Sequence, residues 1–276
     1  MQKDDVNTDT AWEEWGARDP YYGVLTHPQY RAAVLTPEAK EEFFAMGRWH
    51  ADRVLATCRR HLDADFNPRR VLDFGCGVGR LLIPFAQVAQ EVVGVDISPS
   101  MLAEARRNCD ERGLQHITLL PSDDGLSAVQ GQFDLVHSSI VLQHIDVQRG
   151  RLLFQRLVER VAPGGCGALH VTFAWDIYAS TFGHPPAPVL PPPPSAAARL
   201  KQAVRSWLSR PPPPPPPAPD PATLDPEMQM HYYNLSELMF IAQRAGTHHV
   251  VTELTDHGGA LGAFLFFQAP GASQAP

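Results

Sequence analysis

Cysteine is scarce in this chain of 276 residues, and the four present share no C-x-x-C spacing. They are Cys58, Cys76, Cys109 and Cys166. Such a set builds neither a disulfide framework nor a zinc site, so we expect reduced, mostly buried thiols in a cytoplasmic protein. The polar start MQKDDVNTDT predicts no signal peptide, and no apolar run approaches the length of a membrane span. No membrane partner is therefore expected.

Positive charge is also limited. The chain has 23 Lys and Arg residues against 30 Asp and Glu residues, which gives a net charge of −7 and a pI near 5.9. This balance does not favour a nucleic-acid partner. The 12 histidines show no H-x-x-x-H spacing, and no carboxylate pairs with them on one helix, so no metal site is expected.

The most informative segment reads VLDFGCGVGR, from Val71 to Arg80, an apolar strand that runs into a loop with glycine at every second position. A second apolar strand, VVGVD, ends in Asp96. The glycines let the backbone lie close against a ligand, and the following helix directs free N–H groups toward it. A carboxylate at the end of the next parallel strand is placed to accept hydrogen bonds from both hydroxyls of a ribose. The pattern predicts an adenosine-type ligand.

The glycine spacing narrows the class of ligand. A dinucleotide fold uses G-x-G-x-x-G, whereas this loop is G-x-G-x-G preceded by Asp73. An acid at that position repels a pyrophosphate but suits an ammonium group and a sulfonium charge. Together with FDLVHSS at 133–139 and APGG at 162–165, the pattern resembles the class I methyltransferases that use S-adenosylmethionine. The resemblance is strong over about 70–175 and looser over 231–268.

The resemblance implies an α/β, Rossmann-like methyltransferase fold with a seven-stranded, mostly parallel sheet and an antiparallel last strand. It also implies roles for individual residues. Asp73 would order the loop and the amino-acid end of the cofactor, Asp96 would hold the ribose, and Ser138 would lie beside the methionine moiety. The other implied cofactor-binding residues are Gly75, Gly77, Gly79, Ile97, Met101 and Asp123, the last for the adenine amino group, with Asp124 as an alternative.

Strands and helices alternate from residue 70 onward, which predicts a parallel sheet with right-handed crossovers. The predicted strands are Val71–Phe74, Val92–Asp96, His116–Leu120, Phe133–Ser138 and Gly167–Phe173. Helices are predicted from near Val78, with Pro84 as a possible bend, from Ser98 to Gly113, from Asp146 to about Val161, and over Asn234–Ala245. Two more strands are predicted on either side of Gly258–Gly259.

The domain organisation follows from composition. Residues 1–68 are helical and aromatic and are predicted to form a cap over the site, and residues 69–268 form the methyltransferase domain. A proline-rich insertion at 178–226 interrupts this domain, and a disordered tail covers 269–276. The proline tracts predict extended, polyproline-like chain, most simply an exposed insertion. A lid, or a docking site for a proline-binding partner, is the alternative.

The predicted function is S-adenosylmethionine-dependent methylation of an oxygen or nitrogen of a small molecule, such as a natural product, sugar or lipid intermediate. The alternative is a catalytically silent cofactor-binding or proline-tract scaffold protein. His257 is the first candidate for the general base, with Asp256 as its partner, because a parallel strand at about 250–255 would end at the cofactor edge. An ordinary hairpin turn explains the same residues. His144, which could equally be structural, and then Tyr21 and Tyr22 are the further acceptor-side candidates.

Overall fold

A seven-stranded mixed sheet forms the centre of the protein, in a computed structural model that describes residues 8–186 and 224–271. The strand order is β3-β2-β1-β4-β5-β7-β6. The strands are β1 Arg70–Phe74, β2 Glu91–Asp96, β3 Ile117–Pro121, β4 Phe133–Ser138, β5 Val161–Trp175, β6 Val250–Asp256 and β7 Ala260–Gln268. Strands β1 to β5 pair in parallel, and β7 runs antiparallel to both β5 and β6. The predicted fold class is confirmed, and β6 has the direction of the first five strands.

Seven α-helices accompany the strands in the described part of the chain. They are α1 Thr8–Arg18, α2 Pro20–Val24, α3 Pro37–His61, α4 Leu82–Ala86, α5 Pro99–Asp110, α6 Val147–Glu159 and α7 Leu235–Arg244. The N-termini of α5, α6 and α7 are capped by Ser98, Asp146 and Asn234, whose side chains accept backbone N–H groups. These short polar side chains satisfy donors that a helix start leaves free, which is why the sequence signals located the starts correctly.

Both faces of the sheet are buried, as a parallel sheet requires. One face packs against α3 and α4, through Phe43, Val54, Leu55, Phe85, Leu135 and Phe266. The other packs against α6 and α7, through Leu72, Val136, Leu153, Leu157, Leu238 and Phe267. Because Phe43 is fully buried, its truncation to alanine would cost about 3–5 kcal/mol of stability. The two layers hold the carboxyl ends of the strands in fixed positions.

The helix after the glycine loop differs from the prediction. It begins at Leu82 rather than near Val78, because Gly77 and Gly79 have φ of 51° and 87°, a left-handed backbone that a helix cannot contain. Pro84 therefore lies in the first turn, where its missing N–H removes no helical hydrogen bond. The bend considered for Pro84 is not needed.

Two boundaries also differ. Helix α6 ends at Glu159, before the predicted Val161, because β5 already begins at Val161 and includes the APGG turn. The tail predicted from residue 269 is held at its start, since the Ala269 N–H donates to Gly165 O at 2.9 Å. Most of the proline-rich insertion, residues 187–223, and residues 272–276 of the tail lie outside the described residues. Among the helices described, none has the length and apolar character to cross a membrane.

Candidate active site

A cavity of about 460 Å³ opens at the carboxyl edge of the sheet, where β1, β2 and β4 end. The turn between β6 and β7 closes one side of it, and residues of α1 and α2 cover it. Its walls include Thr8, Asp9, Trp12, Val24, Asp73, Gly75, Gly77, Arg80, Asp96, Ile97, Met101, Ser122, Asp124, Ser139, Ile140, His144, Arg149, Trp175, Met228, Met230 and His257. Ligands of open α/β sheets bind at this edge.

The glycine loop forms the floor of the cavity. Gly75 and Gly77 have φ of 72° and 51°, and a Cβ atom on Gly75 would lie 2.3 Å from Val141. A Cβ atom on Gly77 would lie 2.7 Å from Val24 in the cover. Both positions therefore require glycine for conformation and for close approach. Gly79 is not on the wall; with φ of 87° it shapes the turn beside Ile83.

The carboxylate of Asp96 is tied to the loop. Its Oδ2 accepts the Gly77 N–H at 2.8 Å, and its Oδ1 accepts the Ser98 N–H at 2.9 Å. Desolvation raises the pKa of Asp96 to about 6, and these two N–H groups oppose the rise. The group is therefore a carboxylate at neutral pH, and its free lone pairs can accept hydrogen bonds from ribose hydroxyls.

Ile97 and Met101, the residues predicted to line an adenine pocket, lie on the cavity wall together with Asp96. Asp123 does not. Its Oδ1 accepts the N–H groups of Gly125 and Ser127 at 3.0 and 2.9 Å, so it shapes the loop after β3. Ser122 and Asp124 face the cavity in its place, and Asp124 is hydrogen-bonded to Arg149. The geometry therefore supports Asp124, the alternative to Asp123 for the adenine amino group.

Asp73 lies on the wall, with a partner that the sequence did not reveal. His137 on β4 donates its Nδ1–H to Asp73 Oδ1 at 2.8 Å, and both side chains are buried. The other ring nitrogen of His137 lies 3.4 Å from Nε2 of His50 on α3. Residues 73 and 137 are direct neighbours in the register of β1 and β4. This contact fixes the Asp73 carboxylate at the edge of the cavity.

Ser138 is fully buried, and it is absent from the cavity wall. The next two residues, Ser139 and Ile140, reach the wall instead. Ile140 has φ of 60°, a left-handed conformation that is strained for a β-branched residue. Strain of this kind concentrates at functional sites, and no sequence pattern signals it.

His144 lies on the wall with both ring nitrogens engaged. Its Nδ1 is 2.8 Å from Gln229 O and its Nε2 is 3.2 Å from Gln143 Nε2. A carbonyl oxygen only accepts, so Nδ1 carries the proton and Nε2 accepts from Gln143. Burial lowers the pKa of His144 to about 4. The ring also contacts Trp12 of α1 edge-on at 4.9 Å, so it supports the cover.

His257 is exposed and lies on the cavity wall, in the turn between β6 and β7. Asp256 does not hold its ring; Asp256 Oδ1 accepts the Gly259 N–H at 2.7 Å and stabilises the turn. Partial desolvation lowers the pKa of His257 below its usual value. The imidazole is therefore neutral at neutral pH and able to accept a proton.

Tyr21 and Tyr22 do not face the cavity. The Tyr21 hydroxyl lies 2.6 Å from Glu104 Oε1, and Tyr22 stacks under the guanidinium of Arg31 at 3.4 Å. Both residues anchor the cover. No group of three or more His, Cys, Asp or Glu side chains suited to a metal ion occurs in residues 8–186 and 224–271.

The cover itself is attached to the N-terminus of α5. Glu13 on α1 accepts hydrogen bonds from the hydroxyls of Ser98 and Ser100, both at 2.7 Å. Burial raises the pKa of Glu13, but these hydrogen bonds outweigh it and hold the pKa below its usual value. Arg149 adds a bidentate contact to Asp9, at 2.7 and 3.0 Å. The same helix that closes the cavity is thus fixed by residues next to Asp96.

This sheet order, with a glycine loop after β1 and a carboxylate after β2, defines a class I methyltransferase fold. Residues 71–165 match the family model described as a methyltransferase domain. Over residues 71–165 the chain is thus similar to the methyltransferase domain family.

Two curated relatives share this region. The ribosomal protein L11 methyltransferase of Ralstonia pickettii is 36% identical over 110 residues, which is 39% of this chain and 34% of the relative. The ubiquinone biosynthesis O-methyltransferase of a Ruegeria species is 35% identical over 83 residues, 30% of this chain and 34% of the relative. The chain thus spans about a third of the length of either relative.

Among solved structures, the chain is similar to magnesium protoporphyrin IX methyltransferase from Synechocystis, which has bound S-adenosylmethionine. The TM-score is 0.57 at 18% identity, and the match covers 97% of this chain and 100% of the other. At that identity the likeness shows the fold.

Proposed function

We propose that the protein transfers the methyl group of S-adenosylmethionine to an oxygen or nitrogen of a small-molecule acceptor. The observation that carries the proposal is the Asp96 carboxylate, held against Gly77 and Ser98 at the edge of the cavity. A carboxylate fixed in this way can serve both ribose hydroxyls, and the glycine loop beside it leaves room for the nucleoside.

The residues on the wall fit the cofactor. Asp96 would hold the ribose, Ile97 and Met101 would pack on the adenine, and Ser122 or Asp124 would bond its amino group. Asp73, fixed by His137, would face the ammonium group. When bound, S-adenosylmethionine supplies a methyl group activated by the positive sulfur.

The acceptor side of the cavity supports a small, largely apolar acceptor. Its walls carry Trp12, Trp175, Met228 and Met230. Aromatic and methionine side chains suit planar or irregular apolar ligands. Because α1 and α2 cover the cavity, an acceptor that fits inside is favoured over a folded protein surface. One of the two relatives is named for ubiquinone biosynthesis and the other for a ribosomal protein. The position of α1 and α2 at the cavity supports the small-molecule acceptor.

The chain's own residues contribute position and proton transfer. The apolar walls exclude water and hold the two reactants together. A neutral hydroxyl or protonated amine also needs a base, and His257 is the uncommitted imidazole on the wall. His144 has no free ring nitrogen, so it holds the cover and the Gln143 amide in place.

The proposed partners and compartment are based on the net charge of the chain and on its buried, unpaired thiols. All four cysteines are free and buried, which supports the proposal of a reducing, cytoplasmic compartment. The net charge of −7 supports a partner other than nucleic acid. The proline tracts fall outside the described residues, and a proline-binding partner stays a prediction.

Calorimetry with S-adenosylmethionine, S-adenosylhomocysteine and NAD tests the cofactor. Asp96→Asn is the test variant, and Asp110→Asn, an exposed acid at the end of α5, is the control. We expect wild-type protein and the control to bind both adenosyl ligands and not NAD. Mass spectrometry of extracts incubated with cofactor should then show a product heavier by one methyl group. Cofactor binding without transfer to a broad acceptor panel would support the silent scaffold instead.

A further inference from the structure

Arg80 is a buried cation on the cavity wall, and its guanidinium forms no ion pair within residues 8–186 and 224–271. The residue is 8% exposed, and its Nε is buried without a hydrogen-bond partner in the described part of the chain. Desolvation lowers the pKa of Arg80 to about 10, so the guanidinium remains charged at neutral pH. Buried charges are normally paired, because an unpaired one is costly. A charge left unpaired at a cavity indicates a ligand of opposite sign.

The packing around Arg80 holds it in this position. Helix α3 passes so close that a Cβ atom on Gly47 would lie 2.2 Å from Arg80 O and 2.9 Å from its Cγ. The guanidinium carbon lies 6.0 Å from the centre of the Phe43 ring. A side chain confined by a helix backbone and an aromatic ring cannot move into solvent to find water.

Neighbouring polar groups do not satisfy the charge. Asp73 is close enough to raise the pKa of Arg80, but among the described residues its carboxylate accepts from His137 and forms no hydrogen bond with the guanidinium. Tyr30 also raises the pKa of Arg80. The buried hydroxyl of Tyr30, like Nε of Arg80, has no hydrogen-bond partner among the described residues. The side chains of Arg80 and Tyr30 both lie near Phe43, and the centre of the Tyr30 ring is 5.2 Å from the centre of the Phe43 ring. Two buried groups without hydrogen-bond partners among the described residues thus lie beside the Phe43 ring.

We propose that Arg80 is the anchor for a carboxylate group bound in this cavity. The planar guanidinium fork matches a carboxylate, with which it forms paired, charge-assisted hydrogen bonds. The inference rests on the proposed function, which places two carboxylate sources in the cavity. One is the amino-acid end of the cofactor, beside Asp73. The other is an acceptor that carries a carboxylate, on the side of His257, whose pKa Arg80 also lowers.

Binding measurements on Arg80→Met and Arg80→Lys test the proposal, with the exposed Arg156→Met as the control. The first pair of ligands is S-adenosylhomocysteine and 5′-methylthioadenosine, which lacks the amino-acid end. The second pair is benzoate and benzamide, titrated into protein saturated with S-adenosylhomocysteine. Thermal unfolding of the ligand-free variants reports on a purely structural role.

If the cofactor is the source, Arg80→Met lowers S-adenosylhomocysteine affinity by roughly tenfold or more and leaves methylthioadenosine affinity unchanged. If the acceptor is the source, wild-type protein prefers benzoate to benzamide, and Arg80→Met abolishes that preference. In both cases Arg80→Lys, which keeps the charge without the fork, loses only part of the effect. The ligand-free Arg80→Met protein should unfold at the same or a higher temperature.

Unchanged binding in both ligand pairs, or a lower unfolding temperature with no change in either pair, would overturn the assignment of Arg80. Failure of wild-type protein to bind methylthioadenosine contradicts the proposed function itself. That outcome is distinct, since it concerns the nucleoside and not the carboxylate.

Discussion

The Nδ1 atom of His137 lies 2.8 Å from Oδ1 of Asp73, and neither side chain reaches solvent. The pair joins β4 to β1 directly beneath the glycine loop. The hydrogen bond from His137 holds the buried Asp73 carboxylate in a fixed position on the cavity wall. Loss of this hydrogen bond should therefore affect both the stability of the sheet edge and the position of the Asp73 charge at the cavity.

Replacement of His137 tests that connection. His137→Phe keeps an aromatic ring but removes the donor, so we expect the unfolding free energy to fall by about 1–3 kcal/mol as Asp73 loses its partner. S-adenosylhomocysteine affinity should fall with it. His50→Phe is the control, because His50 contacts His137 but not Asp73. It should lower stability and affinity less than His137→Phe does. Equal stability and affinity of His137→Phe and wild type would contradict the role.

Cofactor affinity should depend on pH through Asp96. Its pKa is raised to about 6, so S-adenosylhomocysteine affinity should fall as the pH decreases through that value and the carboxylate is protonated. A carboxyl group with a raised folded-state pKa contributes stability that is present at low pH and is lost as the pH rises. The loss of affinity at low pH thus cannot come from unfolding caused by this group.

Asp96→Asn separates the two effects by calorimetry between pH 5 and 8. The variant should bind S-adenosylhomocysteine on the order of 30-fold more weakly at neutral pH, since charge-assisted hydrogen bonds contribute about 1.5–3 kcal/mol each. It should also lose the pH dependence near 6. Wild-type affinity that stays level through this range would contradict the assignment of Asp96 to the ribose.

Asp123 and Asp124 form a matched pair of variants. Asp124→Asn changes the cavity wall and the contact with Arg149, so adenosyl-ligand affinity should fall while the unfolding temperature changes little. Asp123→Asn removes the charge that accepts the N–H groups of Gly125 and Ser127, so it should lower the unfolding temperature more than Asp124→Asn does. The reverse pattern would restore Asp123 to the adenine site.

The fold could be predicted because a strand, a glycine turn and a strand-end acid are read from neighbouring residues. The same pattern led to Asp96, which lies on the cavity wall, while its ribose role stays a prediction. Asp123, predicted for the adenine amino group, is absent from the wall, because which of two adjacent acids faces inward depends on the loop's own hydrogen bonds. His137 and Arg80 were missed because their partners and burial arise from strand register and from α3, far away in the chain.

Ile140 tests whether backbone strain at the site serves binding. Ile140→Gly relieves the left-handed conformation but loosens the wall, so affinity for S-adenosylhomocysteine should fall although the variant is no less stable. Phe182→Gly is the control, since Phe182 has a similar φ of 54° and is 93% exposed, away from the cavity. It should keep full affinity. An Ile140→Gly protein with full affinity would show that the strain has no role in binding.

His257 is the residue whose replacement should separate chemistry from binding. It lies on the cavity wall with a lowered pKa, in a turn that Asp256 and Gly259 stabilise without using its ring. His257→Ala should reduce methyl transfer to a hydroxyl acceptor by at least roughly tenfold, because the acceptor loses its general base, while S-adenosylmethionine affinity stays level. His257→Gln keeps the size of the side chain but cannot take up a proton, so it should be equally slow. In steady-state assays, the rate of methyl transfer by wild-type protein should also decline as the pH falls below the pKa of the His257 imidazole, because the protonated ring no longer accepts a proton. Full activity of both variants would exclude His257 as the base.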